Sequence, residues 1–239
     1  MKISILTLFP EMFLGPFDHS IIKRAQDKNI LSIEYINIRN FGLGKHKIVD
    51  DAPYGGGVGM IMRVDVVAEA LEKAKCPARQ NNKKCRERII LLDPQGKKFE
   101  QKTVKELSNY DHLILICGHY EGIDERIREF IDEEISIGDY VLTGGELAAV
   151  VITDAVTRLL PNVLGKEESA KSESFEIKNI EGKNVKLLEC PQYTRPNEYK
   201  GLKVPEILLS GNHKEIENWR EKEAFKKTKS KRPDLLSTE

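Results

Sequence analysis

Short apolar runs that alternate with amphipathic stretches constrain this chain more than any other feature. KISILTL (2–8), LSIEYINI (31–38), RIILLD (88–93), HLILIC (112–117) and EEISI (133–137) each have the length and texture of a buried strand. Between them lie SIIKRAQDKN (20–29), VDVVAEALEKAK (64–75), QKTVKELS (101–108) and IDERIREFID (123–132), which carry helical patterns; in the second, Val64, Val67, Ala68 and Leu71 form one stripe. Strands interleaved with helices predict an α/β fold with a parallel sheet covered on both faces.

A long apolar helix, ELAAVVITDAVTRLLP (146–161), follows and ends at Pro161. Beyond it the texture turns small and polar in NVLGKEESAKSES, and the last part is richer in charge, with helical patterns near VPEILLSG and NHKEIENWREKEAFKK. The predicted organisation is an α/β domain over 1–162, a linker over 163–174 and a small, mainly helical domain over 175–239.

Glycine closes four of the strand-like runs, in LLDPQGKKF, LICGHYEGID, ISIGDY and LTGGEL. In a parallel sheet those ends share one edge, so the turns converge on the crevice where such folds bind ligands. Any one of these glycines has a packing explanation; four together favour a pocket walled by bare backbone. Neither G-x-G-x-x-G after a strand nor G-x-x-x-x-G-K-[ST] occurs, which disfavours a nucleotide-dependent oxidoreductase and an ordinary phosphate loop.

The 38 basic and 38 acidic residues cancel, so any surface for a polyanion must be local. Cys76, Cys85, Cys117 and Cys190 include no C-x-x-C pair and the five histidines stand far from them in sequence, so the thiols read as free, in a reducing cytosol, and no metal site is assigned. The first residues read as a core strand, and no run approaches membrane-spanning length.

YGGGVGM, LDPQG, CGHYEGIDERI, SIGDYVLTGGELA, RLLPNVLG, CPQYTRP and VPEILLSGNH, in this order and at these intervals, resemble the bacterial tRNA (guanine-N1)-methyltransferases of the SPOUT superfamily, nearly end to end. The resemblance implies a trefoil knot, which the general rule against threaded chains would not have suggested. It also implies a homodimer with sites at the subunit interface and a cytoplasmic enzyme acting on tRNA, with neither DNA nor a membrane as partner. S-adenosylmethionine is then the expected donor, bent, with adenine against the backbone of Ile137, Gly138, Asp139, Tyr140, Val141 and Leu142, near Leu92, Pro94 and Ser136; Gly118, Tyr120, Glu121, Gly144 and Gly145 complete the pocket.

Methylating guanine N1 requires removal of its proton, and the charge left behind spreads toward O6, so a carboxylate near N1 and a cation near O6 are wanted. By resemblance the cation is Arg158, and the base position of the family pattern S-x-D-S-F falls on Glu173 in KSESF. Glutamate carries the carboxylate roughly 1 Å further, a displacement that costs about a hundredfold at a rigid site. An alternative is therefore a homologue that binds the donor or RNA with weak catalysis. The resemblance adds a magnesium requirement, with Glu121 the nearby carboxylate.

The stretch FGLGKHKIVDDAPYGGGVGMIMR has little apolar content and is long for a connection. By resemblance it forms the guanine-side loop, with Tyr54, Gly55, Gly56, Gly57 and Gly59 shaping a base pocket and Asp50 close by; the target base must leave its stack to reach it. Basic clusters occur in ARQNNKKCRER and KEAFKKTKSKR, the second taken to place Trp219 and Phe225 on one side of a lysine-rich helix, and Arg195 of CPQYTRP is a candidate phosphate contact.

Overall fold

The computed structural model describes residues 1–76, 85–164, 173–180 and 182–237. The chain divides into two units, Met1–Gly165 and Lys166–Glu239. The predicted linker falls largely on 165–172, and most of the ARQNNKKCRER cluster on 77–84, both outside the described residues.

The first unit is built on β1 (Lys2–Thr7), β2 (Ser32–Asn37), β5 (Glu87–Lys98), β6 (His112–Cys117) and β7 (Glu133–Ser136), in the order β2-β1-β6-β5-β7. Every pairing is parallel. Successive side chains alternate between faces: Ile3, Ile5, Leu113 and Leu115 join one buried cluster, while Leu6, Ile114 and Ile116 join the other. The first cluster is completed from α1 (Ser20–Asp27), α3 (Gln101–Leu107) and α4 (Glu146–Thr157), and the second from α2 (Val64–Ala74). A short ladder of β3 (Asp50–Asp51) and β4 (Ile61–Met62) braces the base of the glycine-rich loop between them.

Two segments depart from the sequence pattern. The turn expected in LLDPQG is instead a break inside β5: Leu92 and Lys97 both pair with Ile135, so residues 93–96 bow out of the ladder. Asp93 Oδ1 accepts from the Gln95 amide at 2.8 Å, and a Cβ on Gly96 would lie 2.5 Å from the Ile135 nitrogen, so only glycine admits β7 this closely. In IDERIREFID the helical pattern yields only a 3₁₀ turn, Glu125–Phe130, because Ile127 alone buries a side chain there.

The second unit contains α5 (His213–Lys231) and two antiparallel ladders, β8 (Glu176–Ile180) with β9 (Lys183–Leu187) and β10 (Glu198–Tyr199) with β11 (Leu202–Lys203). The sequence reading as mainly helical missed these hairpins. Val185, Leu187, Cys190 and Ala224 form its small core, and Thr228 joins α5 to the hairpin by accepting from the Leu188 amide.

Candidate active site

The break in β5 and the loops that follow β6 and β7 line a cleft of about 250 Å³. Of the residues expected to hold the donor, Leu92, Pro94, Gly118, Tyr120, Glu121, Ser136, Ile137, Gly138, Tyr140, Val141, Leu142, Gly144 and Gly145 all line it. Asp139 does not; it is an exposed residue beside the cleft.

The walls are main chain because side chains have no room. Gly138 has φ +152°, and a Cβ there would meet the Tyr140 ring at 2.5 Å. A Cβ on Gly145 would stand 2.7 Å from the Cα of Cys117, at the point where its amide donates to the Gly118 carbonyl. Ser136 Oγ fixes the bend, donating to the Gly138 carbonyl and accepting from the Gly138 amide. Tyr120 sits at φ +59°, a left-handed conformation that a bulky residue keeps only where its surroundings enforce it.

Beneath the loops lies a network that the sequence reading missed. The Glu146 carboxylate is almost fully buried; it accepts from Thr7 Oγ1 at 2.6 Å and meets His119 Nε2 at 3.0 Å. Thr7 Oγ1 in turn accepts from the Phe9 amide. Thus the ends of β1 and β6 and the start of α4 are pinned through one carboxylate, and a Cβ on Gly144 would strike both His119 and Glu146. His119 stood in the CGHYEG block, but its carboxylate partner lies in another block and β1 supplies the third member, so only the fold reveals the set.

The glycine-rich loop is stitched to the rim of the cleft. Gly55, Gly56, Gly57 and Gly59 all have positive φ. Glu121 donates its amide to Met60, Met62 donates to Gly122, and Asp124 donates to Met62. A Cβ on Gly59 would overlap the Glu121 side chain, so this loop and the cleft share a wall at Glu121. Asp50 sits in β3 opposite Met62, and Tyr54 is fully exposed.

Arg158 caps α4, half-buried, its amide donating to the Asp154 carbonyl. Glu173 and Arg195 belong to the second unit, the former half-buried and the latter exposed. Arg195 lines a second cleft, of about 450 Å³, with Tyr193 and Arg220. Trp219 approaches Tyr193, ring centroids 6.3 Å apart. Phe225, six residues further along α5, is turned about 120° from Trp219, which corrects the expectation that they share a side.

Thiols and a histidine that stand far apart in sequence do meet in space. Cys76, Cys85 and His112 present ligand atoms within 4.8 Å of one another, the one such grouping of three or more among the described residues. Glu121 is not part of it.

Fold and site together define an α/β protein with a cleft walled by bare main chain at the carboxyl edge of a parallel sheet, the place where such folds bind ligands. The chain matches the family tRNA (Guanine-1)-methyltransferase TrmD over residues 1–238 and belongs to it. It is 56% identical over 237 residues to the tRNA (guanine-N(1)-)-methyltransferase of Carboxydothermus hydrogenoformans, covering 99% of this chain and 87% of that one. The proteins of the same name from Dictyoglomus turgidum and Bacillus pumilus are each 53% identical, over 236 and 239 residues, with 90% and 93% of their lengths covered.

Proposed function

We propose that the protein is an S-adenosylmethionine-dependent enzyme that methylates N1 of the guanosine immediately 3′ of the anticodon in tRNA. The observation that carries this reading is the shared wall at Glu121, where a cleft in which glycines leave main chain bare meets a second glycine loop suited to closing on a base. The cleft fits the donor: Leu92, Pro94, Ile137 and Leu142 offer apolar surface to an adenine, and the backbone of 137–142 offers hydrogen-bonding groups to its edge. When bound, the donor supplies a methyl group on a sulfonium.

The chain's own residues do the rest. Glu173 is assigned the N1 proton, and Arg158 the charge that develops on O6. Tyr54 and Gly55 to Gly59 enclose the flipped base beside Asp50, while Arg195, Arg220 and the lysines of α5 contact tRNA phosphates. Glu121 is the carboxylate we assign near magnesium.

The same proposal includes the trefoil knot, the domain limits 1–162, 163–174 and 175–239, a homodimer and a cytoplasmic setting. Support for a threaded crossover comes from β7 lying outside β5 and crowding Gly96. Support for a dimer comes from exposed apolar residues, Leu147 and Val151 on α4, and Met12 and Leu14 on and just after a 3₁₀ turn, Pro10–Phe13, that packs beside it. Among the described residues no helix is long and apolar enough to cross a membrane.

The test is single-turnover methylation of a tRNA transcript carrying G at the site, beside one carrying A. Label on the G transcript alone is expected; equal label on both overturns the proposal. Glu173→Gln and Arg158→Ala should each slow the step by about a hundredfold or more. Glu173 standing where the family pattern has Asp favours a second reading, a homologue that binds but turns over weakly. That reading requires negligible wild-type turnover and recovery in Glu173→Asp; a fast wild type excludes it.

A further inference from the structure

The amino edge of the sheet, opposite the cleft, gathers four side chains from three elements. Cys76 follows the end of α2, Cys85 and Glu87 lead into β5, and His112 opens β6. Cys76 Sγ lies 3.5 Å from His112 Nδ1, and Glu87 Oε2 lies 2.8 Å from the same nitrogen. The Cys76 amide also donates to Glu87 Oε2, which holds the carboxylate in place. We propose that Cys76, Cys85, His112 and Glu87 bind one borderline-soft divalent cation, of which Zn²⁺ is the best fit.

The chemistry of the set and its spacing both favour this. Two thiolates, an imidazole and a carboxylate are the ligand types of a closed tetrahedral zinc site, where bonds near 2.3 Å to sulfur and 2.0–2.1 Å to nitrogen put those atoms roughly 3.6 Å apart. The observed sulfur-to-nitrogen distance of 3.5 Å matches. The outer partner is also present: His112 Nε2 lies 2.9 Å from Ser4 Oγ, and Ser4 reaches Glu34 Oε2 at 3.2 Å. Such a contact fixes the tautomer that leaves Nδ1 free to ligate.

Proton balance is simple. Without metal, a proton between Nδ1 and Glu87 satisfies both groups. On metal binding the Cys76 and Cys85 thiols each release a proton and the proton shared by Nδ1 and Glu87 leaves as a third, so His112 keeps only its proton on Nε2, donated to Ser4 Oγ, which donates its own to Glu34. No redox partner is needed. The ion ties the segment leaving α2 to the first residues of β5 and β6; it lies at the other edge from the cleft, so its role is structural.

The experiment titrates Co²⁺ into full-length protein, stripped with chelator and kept reduced with a phosphine. One equivalent per chain, with a thiolate-to-cobalt charge-transfer band and the d–d bands of tetrahedral cobalt, is expected, and stoichiometric Zn²⁺ should displace it. Cys85→Ser changes an exposed residue and should fold, yet lose affinity by more than the roughly 10–100-fold typical of an outer-shell change, which Ser4→Ala should show. A wild type without the charge-transfer band overturns the proposal. So does an unchanged band in Cys85→Ser, or a Cys76–Cys85 disulfide in protein purified without air.

Discussion

At its carboxyl edge the sheet presents main chain, with Gly138, Gly144 and Gly145 where any side chain would collide; at its amino edge it presents side chains, with Cys76, Cys85 and His112 drawn together and Glu87 against His112. The difference follows from what each edge can recognise. A planar nucleoside needs a broad surface of amides and carbonyls, which only glycine exposes, whereas a small cation needs several donors aimed at one spot. The two edges should therefore fail in opposite ways. The first fails when an atom is added, the second when one is taken away.

The largest effect is expected from Gly145→Val. Its φ of −78° tolerates a side chain, so the damage comes from contact: even a Cβ stands 2.7 Å from backbone at Cys117. The start of α4 must move off β6, at a cost of about 3 kcal/mol in urea unfolding, and calorimetry should find donor affinity down by about a hundredfold. A variant with wild-type affinity would mean the donor does not lie on this turn.

Glu146→Gln comes next. Its carboxylate accepts a 2.6 Å bond from Thr7 and meets His119 while sealed from water. The amide is a weaker acceptor and adds donors with no assigned partner, for a loss of about 2 kcal/mol. Thr7→Val removes two bonds, to Glu146 and from the Phe9 amide, but should cost less, because Phe9 is exposed to water and His119 stays in place. If both variants unfold like the wild type, the network does not hold the loops together.

How much of this was legible in the sequence depended on how far apart the partners lie. The five sheet strands were readable because a strand buried on both faces, like β1 and β6, is written locally as a short apolar run, and α2 was readable too, although its buried face is Val66, Val67, Ala70, Leu71 and Ala74 rather than the stripe through Val64 and Ala68. The cleft was readable because glycine marks a close approach by itself, whatever it approaches. The Thr7–His119–Glu146 network and the Cys76–Cys85–His112 group were not, since their members are joined only by the register of β1 beside β6 and β6 beside β5. The hairpin of β8 and β9 was hidden by its charge, with Val185 and Leu187 the only fully buried residues of its two strands.

Gly59→Ala should have a smaller and more selective effect. Its φ of +90° disfavours alanine, and the new methyl displaces Glu121, a flexible side chain that can give way. Base docking should suffer more than donor binding, because Glu121 is one of many residues that line the donor cleft: turnover on tRNA falls by about tenfold, near 1.4 kcal/mol, with a clearly smaller loss of donor affinity. An equal fall in both would show that the two loops act as one, and would blur the contrast between base side and donor side.

The smallest effect belongs to Lys2→Ala at the amino edge. Lys2 pairs with Glu34 at 2.7 Å, and both side chains are more than two-fifths exposed, so solvent screening holds the contribution below about 1 kcal/mol. The Lys2 ammonium, with Ser4 adding a hydrogen bond, keeps the Glu34 carboxyl below its ordinary pKa against a smaller opposing effect of burial. A depressed carboxylate pKa stabilises the fold above the unfolded value, about 4.3, and that stability is lost as pH falls through the folded value. The difference between Lys2→Ala and wild type should accordingly be measurable by urea unfolding near neutrality, shrink in high salt and vanish in acid, with methyl transfer unchanged throughout. A slower transfer in Lys2→Ala would mean that the amino edge reaches the cleft, and the separation between the two edges would have to be abandoned.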